Sequence, residues 1–363
     1  MARLEEVCEI LDSRRVPITA KDRVAGLYPY YGANGVQDYV ADYIFDDELV
    51  LLAEDGGHFG STDKPIAYRV SGKCWVNNHA HVLKPKECID VDYLCYSLMF
   101  RDVSDIVNGA TRQKLTQADM RKIEIPLLSM TEQKAVVDKL GKVFELIALR
   151  KEQLAKLDQL VKSRFIELFG DPETNPKGLK IVALSEIAEY YNGLTYSPDD
   201  VSENGTVVLR SSNIQNSRLD FADIVRVACH IKDKFFVKEN DILMCSRNGS
   251  AKLVGKVALI NNLQEPMSFG AFMMIIRSNY YPYLQTYFQM DAFRRQIKTG
   301  ATTTINQITG NMLGKIMLPL PDDAPVQQFA VFVEHTDKLK LATQQSLDKL
   351  ETLKKSLMQE YFG

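Results

Sequence analysis

The sequence predicts an α+β protein made of two globular domains, each followed by a long α-helix. The two helices are expected to pair as an antiparallel coiled coil, giving a pseudo-two-fold internal repeat. Three observations predict this. The chain has 363 residues, more than one ordinary domain needs and enough for two, each with its own core. A helical segment occurs twice, Leu157 to Gly170 aligning with Leu350 to Gly363 at a constant offset. Each intervening stretch alternates short apolar runs with turn residues, the pattern of a mixed strand and helix domain.

The first domain, residues 1–128, predicts helices from Leu4 to Leu11 and from Val91 to Phe100. Strands are expected at Val40 to Phe45, Leu49 to Ala53 and Cys74 to Val76, with turns at Asn34-Gly35 and Asp55-Gly56-Gly57. Residues 129–170 read as the first long helix. Ser129 and Glu132 fit a capping box, each side chain satisfying a free N–H of the other's backbone. The apolar stripe runs Val137, Leu140, Phe144, Ile147, Leu154, Leu157, Val161, Phe165 and Leu168, and Gly170-Asp171-Pro172 ends it.

The second domain, residues 171–321, predicts strands at Thr206 to Leu209, Asp241 to Cys245, Lys256 to Ile260 and Ala271 to Ile276. A helix is expected from Tyr283 to Lys298. Residues 322–363 form the second long helix, with Asp322 and Asp323 as caps and Pro325 in the first turn. Its stripe is Phe329, Phe332, Leu339, Leu347, Leu350, Leu353, Leu357 and Tyr361. Two helices with narrow apolar stripes need a partner, and the nearest partners are each other. At ~1.5 Å per residue such helices would reach roughly 57 Å. The order of features repeats upstream as well. Gly109-Ala110-Thr111 recurs as Gly300-Ala301-Thr302, and the segment from Lys122 to Leu127 recurs from Lys315 to Leu320.

Composition excludes some roles. Hydrophobic residues make up 45% and charged residues 25%, with no apolar run long enough to span a bilayer. No membrane role is expected. Met1 to Glu6 carries neither a basic stretch nor an apolar one, so the expected location is cytoplasmic. The cysteines Cys8, Cys74, Cys88, Cys95, Cys229 and Cys245 lack zinc spacing and read as reduced and mostly buried. Net charge is −3, and neither half is strongly basic, so charge alone does not point to nucleic acid.

Local motifs are more specific. Tyr28-Pro29-Tyr30-Tyr31-Gly32-Ala33-Asn34-Gly35, then Leu51 to Gly57, then Trp75 to Leu83, resemble the successive motifs of a target recognition domain of type I restriction-modification specificity subunits. In the second half Val208 to Ile214, Glu239 to Met244, Arg247-Asn248-Gly249 and Val254-Gly255-Lys256 resemble the same domain class. The Pro126 and Pro319 segments, leading to Gln133 and Gln327, are similar to the junction between recognition domain and spacer helix. The resemblance covers nearly the whole chain. It implies a subunit that binds a bipartite double-stranded DNA target and docks two methyltransferase subunits and restriction subunits. It also implies that the chain itself holds no cofactor, while those partners bring S-adenosylmethionine, ATP and magnesium.

DNA sequence is read mainly in the major groove, by Arg or Lys on guanine and by Asn or Gln on adenine. Polar residues on loops are therefore the candidates. In the first domain they are His58, Lys64, Arg69, Asn77, Asn78, His79, Arg112, Gln113 and Lys114. In the second they are Arg210, Ser211, Asn213, Arg247, Asn248, Ser250, Lys252, Thr303 and Asn306. His79 and His81, two apart, suggest a hydrogen-bonded core rather than a metal site, and no metal is expected. The tyrosines from Tyr28 to Tyr43 read as packing residues rather than base-stacking ones.

The sequence has no phosphate loop, no nucleophile elbow and no amino-methyltransferase tetrapeptide, so no catalytic centre is expected. Glu132-Gln133-Lys134 superficially matches half of a nuclease site and reads as capping chemistry. Two other readings stay open: a coiled-coil scaffold without DNA preference, and a stand-alone DNA-modifying enzyme.

Overall fold

A computed structural model describes residues 1–109, 113–299 and 306–363. The chain forms two compact units. One comprises Met1–Glu152 together with Gln344–Gly363, the other Gln153–Thr343.

The first unit is organised by a six-stranded sheet. Its strands are Cys8–Ile10 (β1), Ala25–Gly32 (β2), Gly35–Val40 (β3), Phe45–Ala53 (β4), Ala67–Val76 (β5) and Ala80–Pro85 (β6). Their order across the sheet is β1-β6-β4-β5-β2-β3, antiparallel throughout except where β2 runs parallel to β5. The central strand β4 is apolar on consecutive positions from Leu49 to Ala53, all fully buried, as expected of a strand covered on both faces. Its core includes Leu11, Phe45, Leu51, Val70, Cys74 and Val82. The helix Val91–Met99 (α1) is capped by Asp90, whose side chain accepts from the backbone N–H groups of Asp92 and Tyr93.

Two expected elements differ here. The predicted helix from Leu4 to Leu11 stops at Val7, because Cys8–Ile10 is drawn into the sheet beside β6. The predicted strand from Val40 to Phe45 is interrupted, since β3 ends at Val40 and β4 begins at Phe45.

In the second unit Glu189–Asn192 (β7), Val201–Leu209 (β8), Ile242–Cys245 (β9), Val257–Leu259 (β10), Met267–Phe269 (β11) and Met273–Arg277 (β12) form two sheets. One is antiparallel in the order β7-β12-β9-β10. In the other, β8 lies between β11 and the short strand Arg226–Val227. The predicted helix from Tyr283 to Lys298 is two helices, Tyr281–Tyr287 and Asp291–Thr299. The break lets Tyr287, Phe288 and Phe293 join one aromatic core, Phe288 and Phe293 lying 4.8 Å apart between ring centroids.

The long helices span Met130–Phe169 (α2) and Asp323–Phe362 (α3), as the caps predict. The Ser129 and Glu132 side chains lie 2.7 Å apart in the capping box, and the Ser129 hydrogen bonds hold the Glu132 carboxyl below its usual range. Gly170 ends α2 with a φ of 80°, which favours glycine. Their buried faces differ in detail from the predicted stripes. Val136 and Val143 are buried on α2, where Val137 and Phe144 were expected. On α3 Leu339 and Leu353 are exposed, while Thr336, Thr343 and Lys354 are buried. The threonines satisfy themselves by donating to the carbonyls of Phe332 and Leu339 one turn back. Lys354 reaches Glu351 and lies over the Phe100 ring.

Each unit contains contacts between its own parts of α2 and α3. In the first, Lys139 Nζ donates to Tyr361 Oη at 2.9 Å, and Arg150 Nε to Ser346 Oγ at 3.2 Å. In the second, Lys340 pairs with Asp158 at 2.6 Å and Phe329 packs edge-on against Phe165 and Phe169.

Candidate nucleic-acid interface

In the first unit the turns after β4 and between β5 and β6 bring several candidates together. Asn77 is buried. Its Oδ1 accepts from the His79 backbone at 2.8 Å, and its Nδ2 donates to Gln37 at 3.1 Å. His79 Nδ1 lies 2.7 Å from Asp55 Oδ1, and Lys114 Nζ 2.9 Å from Glu54 Oε1. Asn78, on the turn between β5 and β6, and Gln113 are exposed. His58 and Lys64 lie on the loop after β4, half-buried and exposed respectively. Arg69 does not join them. It sits on β5 with its guanidinium held by Glu48 at 2.5 Å and Asp92 at 2.9 Å. Arg112 lies outside the described residues.

Beneath this cluster Asp12, Glu54 and His81 are buried within 4.8 Å of one another. Each donor atom already has a protein partner. His81 Nδ1 lies 2.7 Å from Asp12, its Nε2 lies 2.9 Å from the Leu115 carbonyl, and Arg15 donates to Glu54 at 2.5 Å. Burial alone would raise both carboxyls, but hydrogen bonds from His81 and Val82 to Asp12, and from Arg15 and Lys114 to Glu54, hold them below their usual range. The network therefore braces the turns that carry Lys114 and His79. Arg15 was not among the sequence candidates, since nothing local marks an arginine near residue 15 as reaching residue 54.

Of the tyrosines from Tyr28 to Tyr43, Tyr39 is exposed. Tyr28 and Tyr43 meet edge-on at 5.1 Å with Lys73 over the Tyr43 ring, and Tyr30 is buried. Of the cysteines, Cys8, Cys74, Cys95 and Cys245 are buried, Cys229 is half-buried and Cys88 is exposed. Burial pushes the thiols of Cys8, Cys74 and Cys95 up to about 12.

In the second unit the loop after β9 is the centre. The backbone N–H groups of Ser246 and Arg247 both donate to the Phe272 carbonyl, at 2.9 and 3.1 Å, and Ile308 N donates to the Ser246 carbonyl at 2.7 Å. Asn248 Nδ2 donates to Ser211 Oγ at 3.2 Å, while Asn306 Nδ2 donates to the Gly249 carbonyl at 3.2 Å. Ser211, Arg247, Asn248 and Asn306 are thus one cluster, with Ser250 and Lys252 exposed on the same loop. Arg210 adjoins it and pairs with Asp223 at 2.8 Å. Asn213 is fully buried. It accepts from the Arg210 backbone and donates to the carbonyls of Asp220 and Asp223, so its amide is spent inside the fold. Thr303 lies outside the described residues.

Charge pairing distinguishes Arg247. In this unit Arg210, Arg218, Arg226, Arg277 and Arg295 each face a carboxylate, Arg164 pairs with Glu167, and Arg294 donates to the Val254 carbonyl. Among the described residues, Arg247 alone of these arginines has a guanidinium without such a partner, and it lies 5.3 Å from the Phe272 ring centroid. Phe272 is 59% exposed. A search for polar loop residues misses it, although an aromatic side chain directly after Gly270-Ala271 at a strand start is the available signal.

The chain is thus a two-module α+β protein, each unit carrying amide and basic side chains on braced loops. A family model described as the type I restriction modification DNA specificity domain matches residues 1–159 and again 176–352, and the chain belongs to that family. A candidate type I restriction enzyme specificity subunit of Haemophilus influenzae is 38% identical over 134 residues, covering 37% of this chain and 34% of that relative. The EcoKI specificity subunit of Escherichia coli strain K12 is 22% identical over 317 residues, covering 80% of this chain and 68% of that protein. The S subunit structure from M. genitalium shares the fold, with a TM-score of 0.65 at 13% identity over 100% of this chain and 95% of that one. Among the described residues no helix is long and apolar enough to cross a membrane.

Proposed function

We propose that this chain supplies the address of a type I restriction-modification complex. Each unit reads one half of a bipartite double-stranded DNA target, and the chain performs no chemistry of its own. The observation that carries the reading is that each of the two family matches falls largely on one unit, and each unit has its own cluster of polar loop side chains.

The helices α2 and α3 are the proposed spacer, paired antiparallel as a coiled coil within an internal repeat. The order of contacts supports this. Lys139, Arg150, Asp158 and Phe165 on α2 meet Tyr361, Ser346, Lys340 and Phe329 on α3, numbers rising on one helix as they fall on the other. Two methyltransferase subunits and the restriction subunits are the proposed partners, bringing S-adenosylmethionine, ATP and magnesium, and the complex works in the cytoplasm. No metal or cofactor is assigned to this chain.

The test is methyl transfer to DNA. The purified chain should show none, and co-purified methyltransferase subunits should modify a specific target only when the chain is present. Single-turnover methylation by the chain alone would overturn the reading.

A further inference from the structure

We infer that Arg247, whose guanidinium lies over the Phe272 ring, reads a guanine in the half-site of the second unit. The inference rests on the proposed role of the chain as a DNA reader and decides what kind of contact this loop makes. A phosphate contact needs only a donor within reach, whereas a base contact needs a donor fixed in direction. Three features fix this one. The backbone at Ser246 and Arg247 is pinned twice to the Phe272 carbonyl, and the Ser246 carbonyl is held by Ile308. The loop beyond is tied by Asn248 to Ser211 and by Asn306 to Gly249. The guanidinium itself lies over the Phe272 ring at 5.3 Å.

A guanidinium held over an aromatic face is attracted to it without spending its N–H donors on the contact. The two donors on one edge match the O6 and N7 acceptors that guanine presents in the major groove. Most other arginines of the unit face a carboxylate at 3.1 Å or less, so their charge is already answered within the fold. Arg247 is exposed and has no carboxylate or carbonyl partner among the described residues. An unneutralised fork carried on a braced loop is built to read rather than merely to hold.

The test is selection of binding sites from a randomised duplex DNA library. It uses the full chain, alone and with the methyltransferase subunits that co-purify with it from its host. Arg247→Lys keeps the charge and loses the fork, Arg247→Ala loses both, and Phe272→Leu removes the platform alone.

Both Arg247 variants should lose preference for one G·C pair in one half-site, by about tenfold to a hundredfold, with every other position kept. Phe272→Leu should relax the same position more weakly. If Arg247→Lys selects the wild-type site, or if Arg247→Ala weakens all sequences equally and lowers the salt dependence by about one counterion, Arg247 holds a phosphate and the inference is wrong. If the wild-type protein selects no sequence at all, the proposed function fails and the inference with it. That outcome is distinct from a wild type that selects a site its variants also select.

Discussion

Two buried carboxylates, Asp12 held by His81, Val82 and Gln117 and Glu54 held by Arg15 and Lys114, make the first unit sensitive to acid. Both carboxyls are held below their usual range despite burial. A carboxyl with a depressed folded-state pKa contributes stability that is fully present above the unfolded-state value and lost as pH falls through the folded one. Urea unfolding midpoints should therefore hold steady from neutral pH to about 5 and fall below about 4. Asp12→Asn should be less stable than wild type near neutrality, because His81, Val82 and Gln117 lose a charged acceptor, and its midpoint should fall less steeply in acid. An acid response identical in the variant and the wild type would show that Asp12 does not carry the effect. The same scale explains which candidate residues were legible. The turn chemistry around Asn77 and Asn248 is local and was readable. The burial of Asn77 against Gln37, the capture of Asn213 by Asp220 and Asp223, and the pairing of Arg69 with Glu48 and Asp92 are made by residues distant in sequence or by the packing of whole loops.

At the scale of elements, the long helices were the most legible feature because their ends are marked chemically. Ser129 and Glu132 set one end of α2, and Gly170 sets the other. The buried face was less so, because Val136 and Val137, like Val143 and Phe144, are adjacent apolar residues that only neighbouring packing can separate. The helix read over Leu4 to Leu11 ends at Val7 because pairing of Cys8–Ile10 with β6 outweighs weak local propensity. Gln133 is fully buried and bonded to Asp90, Cys88 and Leu128, whereas Gln327 at the corresponding junction is exposed. The observed faces make a direct prediction. Leu140 is fully buried on α2 while Leu339 is 58% exposed on α3. Leu140→Ala should cost about 2–5 kcal/mol in a chemical unfolding titration, and Leu339→Ala no more than about 0.5 kcal/mol. Equal costs would restore the stripe read from sequence, which placed both leucines inside.

For the whole molecule, the division into two units, each with its own core and its own loop cluster, would make the proposed two-part reading physically economical. Arg247 and Phe272 both lie in the second unit. The family match repeats over the two halves in the same way. On the proposed function, a net charge of −3 implies that partner subunits would supply part of the DNA affinity. The most direct measurement is a genome-wide map of modified bases in the host, made with the chain present and with its gene deleted. It should give one motif that vanishes on deletion, two defined stretches separated by a constant number of undefined base pairs. A single uninterrupted motif, or modification that persists without the chain, would contradict two-part reading by this protein.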